Sequence, residues 1–150
     1  MGDGDHTGIT FGQVVRVCAA LATAGAGVLH LDAAGDHTEH WHIAGFFVAV
    51  ACLQLLWAAS VARAQFSPRV LVAGLGLDAG VLGVWAWSRA VGLPTWIPDA
   101  SGVEEIGWKD AASSGLELVA LAAGAIALTM PAAAAAARLA PRTGERLLRA

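Results

Sequence analysis

A chain of 150 residues has the length of one ordinary domain, yet 57% of it is apolar and only 14% charged, far below the roughly 25% of a soluble protein. The formal net charge of -3 comes without any basic stripe able to displace counterions from a phosphate backbone, which excludes nucleic acid as a partner. The apolar residues fall in long blocks rather than alternating runs, which excludes a β-sandwich and leaves helices that satisfy their own backbone in hydrocarbon.

Residues 1–10 read as a polar tail. MGDGDHTG carries acids where a signal peptide needs positive charge, so a cleaved leader is not expected. Four spans follow in a transmembrane domain over residues 11–137, at about 11–31, 41–62, 68–91 and 109–137, each long enough to cross a bilayer. Pro131 predicts a kink or the start of the exit of the fourth. Residues 138–150 form a basic tail. The expected fold is all-α, a four-helix transmembrane bundle.

Orientation follows from the basic residues. Arg16, Arg63, Arg69, Arg138, Arg142, Arg146 and Arg149 fall on one side and only Arg89 and Lys109 on the other. The positive-inside rule then places both termini in the cytoplasm, in the inner or plasma membrane of the cell. Trp41, Trp85, Trp87, Trp96 and Trp108 gather at the expected outer boundary, where an indole buries its ring and keeps its N–H wet. Cys18 and Cys52 lie inside apolar spans with no CxxC spacing and read as small buried hydrophobes.

Seven-residue spacing keeps side chains on nearly one helix face. Arg16, Thr23 and His30 share such a stripe on the first span, His40, Phe47 and Gln54 on the second, Asp78 and Trp85 on the third, Asp110 and Glu117 on the fourth. A bare charge at mid-bilayer costs at least about 2.5 to 3.5 kcal/mol, so the stripes are expected to face one another. On the third span, Gly76 and Gly80 form a G-x-x-x-G that Gly83 extends, a surface for a neighbouring backbone, which a homo-oligomer or a larger membrane complex would supply.

Between the first two spans, HLDAAGDHTEHWH packs four of the five histidines and three acids into thirteen residues. His37 and His40 stand three apart, as do Glu39 and His42, and a helix starting near Asp36 would put each pair on one face. With His30, Asp32 and Asp36 they make a candidate site for a divalent transition metal, copper or zinc, since imidazole and carboxylate suit those ions. Glu104, Glu105 and Asp110 of the third loop would orient the ligands. Other readings fit the same residues: a pH-responsive proton site, interface chemistry with Asp36 or Thr38 capping the second helix, or haem b held by His30 with His40 or His42 from an adjacent helix at similar depth. Glu39-x-x-His42 is half of a di-iron pattern with no second copy.

Asp78, Glu117 and Gln54 are the intramembrane polar groups. A buried carboxyl that stays protonated is a proton carrier, while hydrogen bonds to Thr23, Gln54 or Ser114 would make the acids structural; His30 taken alone fits a core histidine bonded to Asp78 or Glu117 equally well. No phosphate loop and no nucleophile with its base is present, so the reading leans away from an enzyme.

HLDAAGDHTEHWHIAGFF and WAWSRAVGLPTWIPDASGVEEIGWKDAASSGLEL, within residues 28–118, resemble small four-span integral membrane proteins of high-GC bacteria. The shared pattern is a histidine ending the first span, an aromatic-rich start to the second, an S-R-x-V-G-L-P turn and a glutamate in the fourth. The resemblance implies a fold and a location rather than a reaction, and the additional histidines here exceed its pattern. The leading expectation is thus a metal-binding outer mouth for acquisition, sensing or transport, with Glu117 and Asp78 carrying protons or the ion inward. An accessory subunit of a larger complex and a b-type haem protein are the alternatives.

Overall fold

The structure, a computed structural model, describes residues 10–63, 67–94, 103 and 105–139. It contains four helices: α1 (Phe11–Asp36), α2 (Trp41–Ala62), α3 (Pro68–Ala90) and α4 (Trp108–Leu139). Four helices long and apolar enough to cross a bilayer make this the architecture of a multi-pass membrane protein. The expected tails at 1–9 and 140–150, together with Trp96 and Glu104, lie outside the described residues.

Local chemistry sets the helix ends. At α1 the Thr10 hydroxyl accepts from Gln13 N at 3.3 Å while the Gln13 side chain accepts from Thr10 N at 2.7 Å, a reciprocal capping box. Ser67 caps α3, with Pro68 in its first turn, where a missing N–H costs nothing. After α3 the chain turns through Gly92 at φ 84°, a left-handed conformation in which a Cβ would be strained.

α1 packs extensively on both α2 and α4, whereas α3 rests against α4 and, less, α2 and is the least buried span. The apolar core lies towards the end of the bundle where α1 begins and α2 ends. Ala19, Ala20, Trp57, Ala58 and Leu71 form it, with Ala123, Ala127 and Leu128 packed against them. Alanine there lets helices approach closely, and the Trp57 Nε1–H donates to Val70 O at 2.6 Å. Gly74 makes room for that indole, since a Cβ at this position would overlap it, and Gly124 does the same under Leu75.

Polarity is inverted relative to a water-soluble protein. Thr23, Gln54 and Asp78 are wholly buried while Leu21 and Leu56 are 69% and 67% exposed, which is stable only when the surroundings are hydrocarbon.

Several expectations change. α1 runs to Asp36 rather than ending near 31, so Asp36 closes α1 instead of opening α2, and residues 37–40 form the connection. The N-cap of α2 is His40, not Asp36 or Thr38. The proposed pairing of His37 with His40, and of Glu39 with His42, on one helix face therefore does not form, because a turn has no helical period. α4 continues past Pro131 to Leu139, through an alanine run of high helix propensity. A Cβ at Gly76, Gly80 or Gly83 would have nothing within 4 Å, so the G-x-x-x-G faces away from the other three helices and stays open to the outside neighbour expected for it. Cys18 and Cys52 are both exposed on helix surfaces.

Candidate functional site: a buried polar network across four helices

Each of the four helices contributes to one chain of hydrogen bonds at the middle of the bundle. The Thr23 hydroxyl of α1 donates to Asp78 Oδ2 of α3 at 2.7 Å. The Gln54 amide of α2 donates from Nε2 to Asp78 Oδ1 at 3.1 Å and to Glu117 Oε1 of α4 at 2.9 Å. His30 Nε2, one heptad along α1 from Thr23, lies 3.1 Å from the same Glu117 oxygen. Thr23, Gln54 and Asp78 are 0% exposed, Glu117 1% and His30 7%, with Ser113 and Ser114 buried alongside.

The local reason is spacing. Seven residues advance a helix by about 10 Å and nearly two turns, so the stripe of each helix reaches the axis at two depths. Groups barred from lipid meet there because each is the nearest partner that any other can find.

The His30–Glu117 contact is a hydrogen bond that can form with the proton on either atom: Glu117 Oε1 also accepts from Gln54, and Nε2–H of a neutral or charged ring can donate to the carboxylate, or a carboxylic O–H can donate to Nε2. Two carboxyls and one imidazole make up the titratable set, and with both acids ionised and the imidazole neutral the cluster would hold two negative charges in hydrocarbon. Two added protons restore neutrality.

Towards the end where α1 stops and α2 starts, a second layer closes over the first. Arg89 donates to Asp110 Oδ2 at 2.6 Å, and Gly107 N donates to the same oxygen at 3.2 Å. Lys109 reaches Asp32 at 2.6 Å and Asp36 at 2.5 Å, tying the end of α1 to the start of α4. The Ser113 hydroxyl bonds back to Asp110 O at 3.2 Å rather than to any base.

The sequence-derived site residues are thereby divided. His30 bonds to Glu117. His37 stacks on Phe47 at 5.6 Å between ring centroids, and His30 stacks on Phe47 at 5.7 Å. His40 and His42 meet edge to face at 6.4 Å, beside the exposed Glu39. Asp32 and Asp36 hold Lys109. Among the described residues, no group of three or more His, Cys, Asp or Glu side chains is placed to hold a metal ion. His30 sits six residues inside the end of α1, about 9 Å along its axis, whereas His40 and His42 stand at the very start of α2.

Trp85 departs from the interfacial pattern expected of it: its Nε1 is buried with no hydrogen-bond partner, while Trp41, Trp87 and Trp108 are 82%, 57% and 69% exposed. Sequence reasoning also missed the roles of Lys109 and Arg89 as counter-ions to the acids. The signal was available, since they are the only two basic residues on the acidic side of the chain. No family model, curated protein or solved structure matches the chain.

Proposed function

We propose that this chain is an integral protein of the cell membrane that takes up and releases protons at His30 and Glu117, reached from the extracytoplasmic side. It is a proton-responsive membrane module rather than a through-channel. The observation that carries this reading is the 3.1 Å contact between His30 Nε2 and Glu117 Oε1, joined through Gln54 to Asp78, in the interior of four membrane-capable helices. Buried ionisable groups at such depth are costly to retain and mark proton or ion sites.

Access supports the same direction. His30 keeps 7% exposure, the network's only foothold beyond 1%, and it lies towards the end that the positive-inside rule assigns to the outside. Beyond Asp78 the opposite end is packed by Ala19, Ala20, Trp57, Ala58 and Leu71, whose one polar side-chain group, the Trp57 N–H, is bonded to Val70 O. Glu117 on α4 contacts His30 directly, Gln54 of α2 links that carboxyl to Asp78 on α3, and the Arg89–Asp110 pair lies towards the same end of the bundle.

Infrared titration of the protein in lipid vesicles tests it. A carboxylic C=O band is expected to appear and vanish reversibly with pH, to be missing in Glu117→Gln, and to change its midpoint in His30→Asn. A carboxyl population that stays constant over the whole pH range in which the protein is folded would refute the reading.

Metal binding at the turn is the second reading, favoured by the concentration of histidines there and by the adjacent rings of His40 and His42. His30 could join such a site only through Nδ1, with Nε2 kept on Glu117 as an orienting bond.

A further inference from the structure

We infer that Gln54 divides this proton site into two halves that do not pass protons to each other: an exchanging pair, His30 and Glu117, and a latched pair, Asp78 and Thr23. The inference rests on the proton-site reading above and concerns how that site is partitioned.

A proton moves along a hydrogen-bonded chain only if each member accepts from one neighbour and donates to the next. Hydroxyls, carboxyls and imidazoles do this. Gln54 does not, because it gives an N–H to Glu117 Oε1 at 2.9 Å and its other N–H to Asp78 Oδ1 at 3.1 Å, from a nitrogen whose lone pair is delocalised into the amide. The direction of the hydrogen bonds therefore reverses at Gln54.

Rotating the amide by half a turn does not restore a path. The carbonyl oxygen would then face both carboxyls and accept from each, a reversal of the opposite sense. In either orientation Gln54 presents the same atom to both neighbours. As the amide stands, Oε1, the one atom that accepts, is buried with no hydrogen-bond partner and opens no side route.

The surroundings of the two halves differ in the same direction. His30 retains some exposure, but Thr23, Gln54 and Asp78 have none. On the far side of Asp78 the apolar cluster of Ala19, Ala20, Trp57, Ala58 and Leu71 blocks the other end. A proton on Asp78 thus has no hydrogen-bonded exit in either direction. At the observed 2.7 Å, a protonated Asp78 can donate from Oδ2 to Thr23 Oγ1 in place of the reverse bond, so the pair accommodates the carboxyl in either state. Asp78 sets the charge of the site and His30–Glu117 responds to the outside.

The test is hydrogen-to-deuterium exchange of carboxylic protons, followed by infrared spectroscopy on the full chain in lipid vesicles after a switch to heavy water. Asp78→Asn and Glu117→Gln assign the bands. In the wild type the Glu117 band is expected to shift at once and the Asp78 band many-fold more slowly. Gln54→Glu inserts a group that both accepts and donates, and is expected to bring Asp78 to the rate of Glu117; Gln54→His serves the same purpose should the glutamate variant not fold. Gln54→Leu removes the same hydrogen bonds without building a path, and is expected to leave Asp78 slow.

Equal rates for the two bands in the wild type would overturn the inference, as would equal acceleration by leucine and glutamate, which would make Gln54 a packing residue. Either result leaves the proton site itself standing. The lack of any carboxylic band at every pH removes that site, and the partition with it.

Discussion

His30 and Glu117 stand 87 positions apart in the chain, on the first and last helices, and meet at 3.1 Å with side chains 8% and 1% exposed. The pair joins α1 to α4 inside the bundle. An imidazole and a carboxyl so placed either share a proton or leave a bare charge in hydrocarbon, and the second alternative is far costlier.

Removing one partner is therefore worse than neutralising it. Glu117→Ala leaves His30 and one N–H of the Gln54 amide without a partner and is expected to lower stability by about 3 to 5 kcal/mol. Glu117→Gln preserves shape and hydrogen bonding and is expected to cost less than about 2 kcal/mol. Reversible unfolding in mixed micelles separates the two, and equal losses would show that the contact contributes through packing alone.

The glycines give a second, steric prediction. Gly74→Ala drives a methyl into the Trp57 indole and is expected to destabilise by about 1 to 3 kcal/mol. Gly80→Ala meets open space and is expected to be neutral or slightly stabilising, since alanine is the better helix former. The same unfolding assay reads both, and a larger loss at Gly80 would mean that the open face of α3 is occupied.

Elemental analysis addresses the histidine turn. The wild type and a His37→Ala, His40→Ala, His42→Ala variant, each purified without chelator and dialysed, are expected to carry equal amounts of zinc and copper. One equivalent held by the wild type alone would make metal binding the function.

Much of this molecule is legible in order of residues alone. The long apolar blocks predict four helices, and the heptad spacing of Thr23 with His30 and of Asp110 with Glu117 predicts that polar groups face inward, because lipid offers them no partner. The histidine turn was less legible. The density of HLDAAGDHTEHWH suggests convergence, but α1 extends five residues further than its hydropathy implies and takes Asp32 and Asp36 with it, where Lys109 of α4 binds them. The close approach at Gly74 was not legible either, while Gly76 and Gly80, which the G-x-x-x-G pattern marks, face away from the other helices of the chain.

What the sequence by itself determined is membership of the membrane, the number of crossings, and the identity of the groups that must avoid lipid, since transfer from water to hydrocarbon depends on composition and period alone. The tertiary structure alone decided the partners: that His30 belongs to Glu117 and not to its three sequence neighbours, and that one amide stands between the two acids. Such pairings depend on the rotation and depth of each helix against the others, a matter of roughly one residue in register, which hydropathy does not encode and only packing selects.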